Sequence, residues 1–247
     1  MESTGKRGIV VALDGPGSSG KSSVGAAAAA RVGYRFCDTG LFYRTVGWLA
    51  LAEGVSLDDG AALAALVPRI HLELDDLGTY GRVLVDGCAA EPPLQGHAAD
   101  RGASHAARQP RLREALVASQ RDLVADGAIV MAGRDIGSVI LPDADLKLYI
   151  DASVEERARR RIEERGLAAE SAEAGRILEE LRRRDHSDSR RAVAPLQVVA
   201  DAVVIDTSGY AFEQTVDVVV RAIVERSREL GMPATDRGSG LPGGAGA

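Results

Sequence analysis

Residues 8–14, GIVVALD, form an unbroken apolar run that stops at Gly-Pro-Gly, the pattern of a strand buried on both faces. An alanine-rich stretch follows at 22–32 and predicts a helix; 34–38 (YRFCD) predicts a second strand and 41–53 a second helix. The texture then changes. After a helical pattern at 57–67, two short alternating runs, 70–76 and 80–87, flank a Leu-Gly-Thr turn and predict an antiparallel hairpin. A hairpin does not belong in a parallel sheet, so this stretch is expected to be an inserted subdomain. Helical periodicity returns at 110–125, where Leu112, Leu116 and Leu123 share a face. Buried runs at 128–132 and 146–150, a charged helical stretch at 153–186, a last strand at 203–206 and a closing helix at 211–230 complete the pattern. Strands alternating with helices imply an α/β fold whose core is a parallel sheet of five strands.

Composition narrows this picture. The 247 residues are 45% hydrophobic and 27% charged, ordinary for a folded domain, while aromatic residues supply only 4%. The core must therefore be Ala, Val, Leu and Ile. No apolar run is long enough to cross a bilayer, and the opening MESTGKRG has no apolar segment of a secretory leader, so a cytoplasmic location is expected. Cys37 and Cys88 lie far apart with no ligand-type spacing, which argues against a disulfide framework or a zinc site. A net charge of −6 disfavours a nucleic-acid polymer as partner. Three lysines stand against 27 arginines, and guanidinium groups bind phosphate as planar forks. Residues 231–247, with six Gly and two Pro, read as a disordered tail.

The chemistry begins at GPGSSGKS, residues 15–22, which fits G-x-x-x-x-G-K-[ST] in its required setting between a buried strand and a helix. Its glycines let backbone amides wrap phosphate oxygens, with the helix N-terminus adding its dipole. Lys21 is placed to reach the β- and γ-phosphates of a nucleotide, and the Ser22 hydroxyl to ligate magnesium. This motif says nothing of what is done with the triphosphate. An N/T-K-x-D element for guanine is absent, and the strand 128–132 ends in Gly-Arg-Asp rather than paired acids, which disfavours a switch GTPase and a motor. A small kinase that closes over a second substrate fits the size and the insert.

Three further elements bear on that second substrate. DTGLFYR (38–44) follows the second strand, where side chains at the carboxyl end of a parallel sheet face the ligand crevice. Thr39 can cap the next helix or line that crevice, and Arg44 lies on the same side. AGRDIGS (132–138) projects Arg134 and Asp135 from another strand end. The stretch 157–191 holds eleven arginines, most of them suited to i,i+4 pairing, and ends in RRRDHSDSRRAVAPL, an arginine-bearing flap of the kind phosphoryl transfer uses to neutralise charge and exclude water.

These stretches, together with ASHAARQPRLREALVASQR and AGRDIGSVILPDADLKLYIDAS, resemble the bacterial cytidylate kinases, nucleoside monophosphate kinases of the P-loop class, over about residues 8–225. The resemblance implies a P-loop NTPase core (8–38, 107–152 and 192–230), an NMP-binding insert with antiparallel strands (39–106) and a short Arg-rich lid (153–191). It implies transfer of the ATP γ-phosphoryl group to CMP or dCMP with Mg2+, by a monomer with no membrane association. By position, Gly15, Pro16, Gly17, Ser18, Ser19, Gly20, Lys21, Ser22 and Ser23 would hold ATP, with Ser22 on the metal. Thr39, Arg44, Ser104, Arg113, Arg134, Asp135, Arg184, Asp188 and Arg191 would hold the acceptor. Among them Arg44, Arg134 and Arg191 would hold its phosphate, Ser104, Arg113 and Asp135 the cytosine, and Arg184 and Asp188 the sugar. Lys21, Arg134 and Arg191 would be catalytic. The chain departs from the family's pattern at Cys88–Ala90 and Leu94-Gln95-Gly96 in the insert, and at Ala132, where an acidic residue is usual. Another small-molecule kinase on the same scaffold, or a nucleotide-binding regulator without turnover, are the competing readings.

Overall fold

The computed structural model describes residues 7–90 and 97–238. Five parallel strands, β1 (Val10–Asp14), β2 (Arg35–Asp38), β6 (Ile129–Gly133), β7 (Leu146–Asp151) and β8 (Val203–Asp206), form one sheet in the order β2-β6-β1-β7-β8. The period of two along β1 sends Val10 and Ala12 to one face and Ile9, Val11 and Leu13 to the other, and both faces are covered. On one face lie α1 (Lys21–Val32) and α8 (Phe212–Glu229), which bury Val24, Val216, Val220 and Ile223. On the other lie α2 (Gly40–Ala52), α3 (Gly60–Leu66) and α5 (Pro110–Asp122), through Val46, Leu63, Leu112 and Leu116.

A second, antiparallel sheet joins β3 (Ile70–Leu74), β4 (Tyr80–Val85) and β5 (Cys88–Ala90). It packs Ile70, Leu72, Tyr80 and Val83 against the same cluster as α2 and α3. The third strand goes beyond the expected hairpin, and Leu94, Gln95 and Gly96 lie outside the described residues. Helix α4 (His97–Ala106) follows and packs on α2. After β7 the charged stretch divides into α6 (Val154–Glu164) and α7 (Ala172–Ser189). The Ser153 and Ser171 hydroxyls cap their first turns, and Gly166 at φ 63° takes the left-handed conformation where α6 ends. Ala158, Ile177 and Leu181 hold the two helices together.

The chain beyond α8 differs from the expected tail. Residues 232–238 fold back along α1: the Tyr34 hydroxyl donates to the Pro233 carbonyl (3.1 Å), and the Arg237 amide donates to Arg31 O (2.9 Å). Arg31 itself bridges Asp217 and Asp236 at 2.5 and 2.6 Å. Specific polar anchors hold this segment despite its glycine and proline. Residues 239–247 lie outside the described residues. Cys37 is buried and Cys88 exposed, each a free thiol. Among the described residues no helix is long and apolar enough to cross a membrane.

Candidate active site

Every strand of the parallel sheet ends at the same edge, and the loop between β1 and α1 sits at its middle. Gly15 is required there by close approach, since a Cβ would lie 2.1 Å from the Ile150 carbonyl oxygen. Gly20, left-handed at φ 87°, turns the chain into α1. Lys21 is buried and donates to the Pro16 carbonyl at 3.1 Å. Burial, and then the nearby Arg134, hold its pKa well below the ordinary lysine value, with Asp38 opposing. The Ser22 hydroxyl lies 3.3 Å from Asp38 Oδ2.

Asp38 closes β2 and organises the first turn of α2. Its carboxylate accepts from the Gly40 amide (2.9 Å) and from Arg44 (3.1 Å). Burial pushes the pKa of Asp38 up, but Arg44, Lys21 and the Gly40 amide outweigh it and the net shift is downward. Thr39 does not cap α2 with its side chain; its hydroxyl and amide both bond the Ala132 carbonyl at 2.9 Å, tying α2 to the end of β6.

Beyond β6, Arg134 donates to the Gly15 carbonyl (3.0 Å) and to Asp188 on α7 (2.9 Å), so one guanidinium links the phosphate loop to the flap. Asp188 also has Arg184 and Arg191 at 4.0 and 3.9 Å. Burial raises its pKa, and the three arginines more than reverse this. Asp135 forms a buried ion pair with Arg113 of α5, whose guanidinium also lies over the Tyr43 ring at 5.5 Å and donates to Ala107 O (3.1 Å). Burial, with Arg113 as a like charge beside it, lowers the pKa of Arg191.

All nine residues expected to hold the acceptor line a single cavity of about 200 Å³, with Gly17, Ser18, Lys21 and Ser22 as its floor. Seven basic side chains face three carboxylates in it. Among the described residues the buried Nε atoms of Arg44 and Arg191 have no hydrogen-bond partner. Buried donors left open in this way mark a place for an acceptor atom of a ligand. A second cavity adjoins the other side of the loop, lined by Ser19, Gly20, Ser23, Arg159, Arg160, Tyr210 and Phe212. Ser18, Lys21, Ser22 and Arg161 face both. The two cavities meet at Lys21.

Residues 11–225 match the family model described as cytidylate kinase. The chain belongs to the cytidylate kinase family. It is 40% identical to the cytidylate kinase of an Exiguobacterium species over 89% of this chain and 98% of that protein. It is also 40% identical to that of Nocardia farcinica, over 88% and 94%. The fold alone is shared with an uncharacterised protein of Eubacterium ventriosum, at a TM-score of 0.50, 12% identity, and coverage of 88% of this chain and 98% of that one.

In this cytidylate kinase family member several residues outside the expected site shape it. Arg157 of α6 is buried and donates to the Gly17 carbonyl (3.0 Å), to Ala152 O and to Asp185, while Arg161 reaches the Ser18 hydroxyl (3.2 Å). Arg160 bonds the Thr207 carbonyl at 2.6 Å. Their i, i+3, i+4 spacing was the available signal for one face of α6 aimed at the loop. Asp14 is the other. Its two oxygens accept the Ile136 and Gly137 amides at 2.8 Å, holding a π-helical turn (Ile136–Ile140) directly after Asp135. Burial raises its pKa to about 6, against those two hydrogen bonds.

Proposed function

We propose that the chain transfers the γ-phosphoryl group of ATP to CMP or dCMP, giving ADP and the cytidine diphosphate. The observation that carries this reading is the pair of cavities meeting at Lys21, one of them holding every acceptor residue the family pattern names. Residues 39–106 then act as the acceptor-binding insert and 153–191 as the lid, on a core made of the rest.

The acceptor's 5′-phosphate rests against Arg44, Arg134 and Arg191, with the open Nε donors of Arg44 and Arg191 turned to its oxygens. One of those oxygens attacks the γ-phosphorus of ATP lying across the loop, and the bond to the β-phosphate oxygen breaks to release ADP. There is little for the protein to do covalently, so positioning and charge neutralisation carry the rate. Lys21, at the meeting point, and Arg134, which joins loop to flap, face the charge that spreads over the transferred group. An incoming polyphosphate also favours the charged form of a lysine whose burial opposes it. Closure of the flap through the Arg134–Asp188 bond excludes water, which is the competing acceptor.

Cytosine is read by Asp135, Arg113 and Ser104. Its N4 amino group donates to the Asp135 carboxylate, and its N3 and O2 accept from Arg113 and Ser104. Uracil presents O4 to Asp135, acceptor against acceptor, at a cost of roughly 1–3 kcal/mol, or ten- to a hundredfold. Arg184 and Asp188 hold the sugar. Ser22 beside Asp38 offers hard oxygen donors that suit Mg2+. Among the described residues no group of three or more acidic, histidine or cysteine side chains is placed to hold a metal ion, and Ser22 with Asp38 would hold Mg2+ beside the donor phosphates. Bound there, Mg2+ would neutralise donor phosphate charge.

The test is ADP release with Mg-ATP and, one at a time, CMP, dCMP, UMP, AMP, GMP and shikimate. Turnover with CMP and dCMP at least about tenfold above the rest is expected. Turnover confined to another acceptor would keep the kinase and overturn the base-reading roles.

A further inference from the structure

Next to the acceptor cavity a second groove opens between α4 and α7, with a volume of about 310 Å³. Among the described residues five arginines and one carboxylate, Glu180, line it. Three of the arginines, Arg101 on α4, Arg108 in the turn after it and Arg183 on α7, are exposed and make no side-chain hydrogen bond or ion pair among the described residues. The acceptor reading uses none of them. The groove shares Ser104, Arg161 and Arg184 with the acceptor cavity, but neither Lys21 nor Arg44. Ser104 and Arg184, the groups placed on the base and the sugar, set it at the nucleoside end of that cavity, with Arg161 of the flap between it and the phosphate loop.

Like charges gathered from two separate elements repel one another, and that repulsion is relieved by an anion bound between them. A planar guanidinium suits phosphate oxygens in particular. We infer that this groove is a second anion subsite of the acceptor site, which takes a phosphate carried on the sugar's 3′ oxygen. The inference rests on the acceptor reading above, because Arg184 is the group placed on the sugar and also faces the groove. A nucleotide phosphorylated at both 5′ and 3′ positions then spans the two cavities, and its second phosphate draws α4 and α7 toward each other.

The experiment is calorimetric titration of the full chain, without ATP, in low-salt buffer where exposed charges are least screened. The probes are CMP, cytidine 3′,5′-bisphosphate and inorganic phosphate. The proteins are the wild type and the triple variant Arg101→Gln, Arg108→Gln, Arg183→Gln, with each single variant alongside. The bisphosphate is expected to bind the wild type about tenfold more tightly than CMP, an advantage of about 1.4 kcal/mol. In the triple variant that advantage falls below about twofold, while CMP affinity, which also reports a folded site, stays within about twofold. Inorganic phosphate titrated into the CMP complex binds weakly and is lost in the same variant. Bisphosphate no tighter than CMP, or an advantage that survives the three substitutions, overturns the subsite and leaves the acceptor reading standing. Phosphate that binds through these arginines while the bisphosphate gains nothing assigns a free-anion site and equally overturns the proposal. A wild type that binds neither nucleotide removes the acceptor reading, and the subsite falls with it.

Discussion

On the acceptor side of the phosphate loop the recognition groups are already engaged with one another: Arg113 with Asp135, Arg134 with Asp188, Arg44 with Asp38. They come from separate elements; Arg113, Asp135 and Asp188 are buried and Asp38, Arg44 and Arg134 half-buried. On the donor side the walls are looser. Tyr210 and Phe212 are each 48% exposed, and Arg160, which lines the cavity, also donates to the Thr207 carbonyl. A buried site built of paired hydrogen bonds rejects an analogue steeply, because the wrong atom leaves a group unsatisfied. An open groove with aromatic surfaces accepts any base, since every base has a π-face. On the proposed reading, the difference predicts an enzyme strict about what it phosphorylates and lenient about what it takes the phosphate from.

Lys21 belongs to both sides, so Lys21→Ala gives the largest effect. We expect kcat to fall about 10²–10³-fold for every donor and acceptor pairing, with the thermal unfolding temperature little changed. A loss restricted to one substrate would place the lysine in one cavity only. Asp135→Ala sharpens the contrast next. The preference for CMP over UMP in kcat/KM should drop about ten- to a hundredfold, and an equal loss for both acceptors would remove Asp135 from base reading.

The support beneath the acceptor side is tested through pH. Asp14 titrates near 6 in the fold against 3.8 for the free group, so the folded chain holds this proton more tightly than the unfolded one. The stability this contributes is fully present below about pH 3.8 and is lost as pH rises through about 6. Asp14→Asn cannot titrate. Wild-type stability measured against that variant by urea unfolding should therefore decline by up to about 3 kcal/mol between pH 4 and pH 7. A pH-independent difference would show that Asp14 is charged throughout. The smallest effects belong to the donor side. Exchanging ATP for GTP should alter kcat/KM by less than about tenfold, and Phe212→Ala should raise the KM for the donor by only a few-fold. A donor preference as steep as that for the acceptor would break the comparison.

What could be read along the chain was what short-range pattern encodes. The runs that became β1 and β6 were legible because strands buried on both faces need no partner to be recognised, whereas edge strand β8, with Val203 and Val204 exposed, was legible from its β-branched residues; 15–22 marked the phosphate loop by spacing alone. All nine acceptor residues from the family pattern line one cavity, although they come from α2, α4, α5, the turn after β6, and α7 with the chain just beyond it. What escaped depends on distant contacts. Strand β5 is three residues long, largely exposed, and exists only because β4 offers an edge. The π-helical turn after Asp135 is held by Asp14, more than a hundred positions away in the chain. The segment 232–238 looks featureless in composition, and Arg31 and Tyr34 are what hold it. Helix α4, which carries Ser104 and packs on α2, has no counterpart among the expected elements.

The strand order has an evolutionary consequence. With β1 in the middle, β2 and β6 lie on one flank and β7 and β8 on the other. The segments after β2 and β6 carry Arg44, Arg134 and Asp135, whereas those after β7 and β8 carry Arg159, Arg160, Tyr210 and Phe212, and also Arg184, Asp188 and Arg191 of the acceptor cavity. The proposed base-reading residues Ser104, Arg113 and Asp135 thus lie in a stretch of the gene that holds none of the donor wall beyond the phosphate loop. A lineage could exchange those residues by substitution and leave the donor wall intact, so the sheet acts as a socket board for new acceptors.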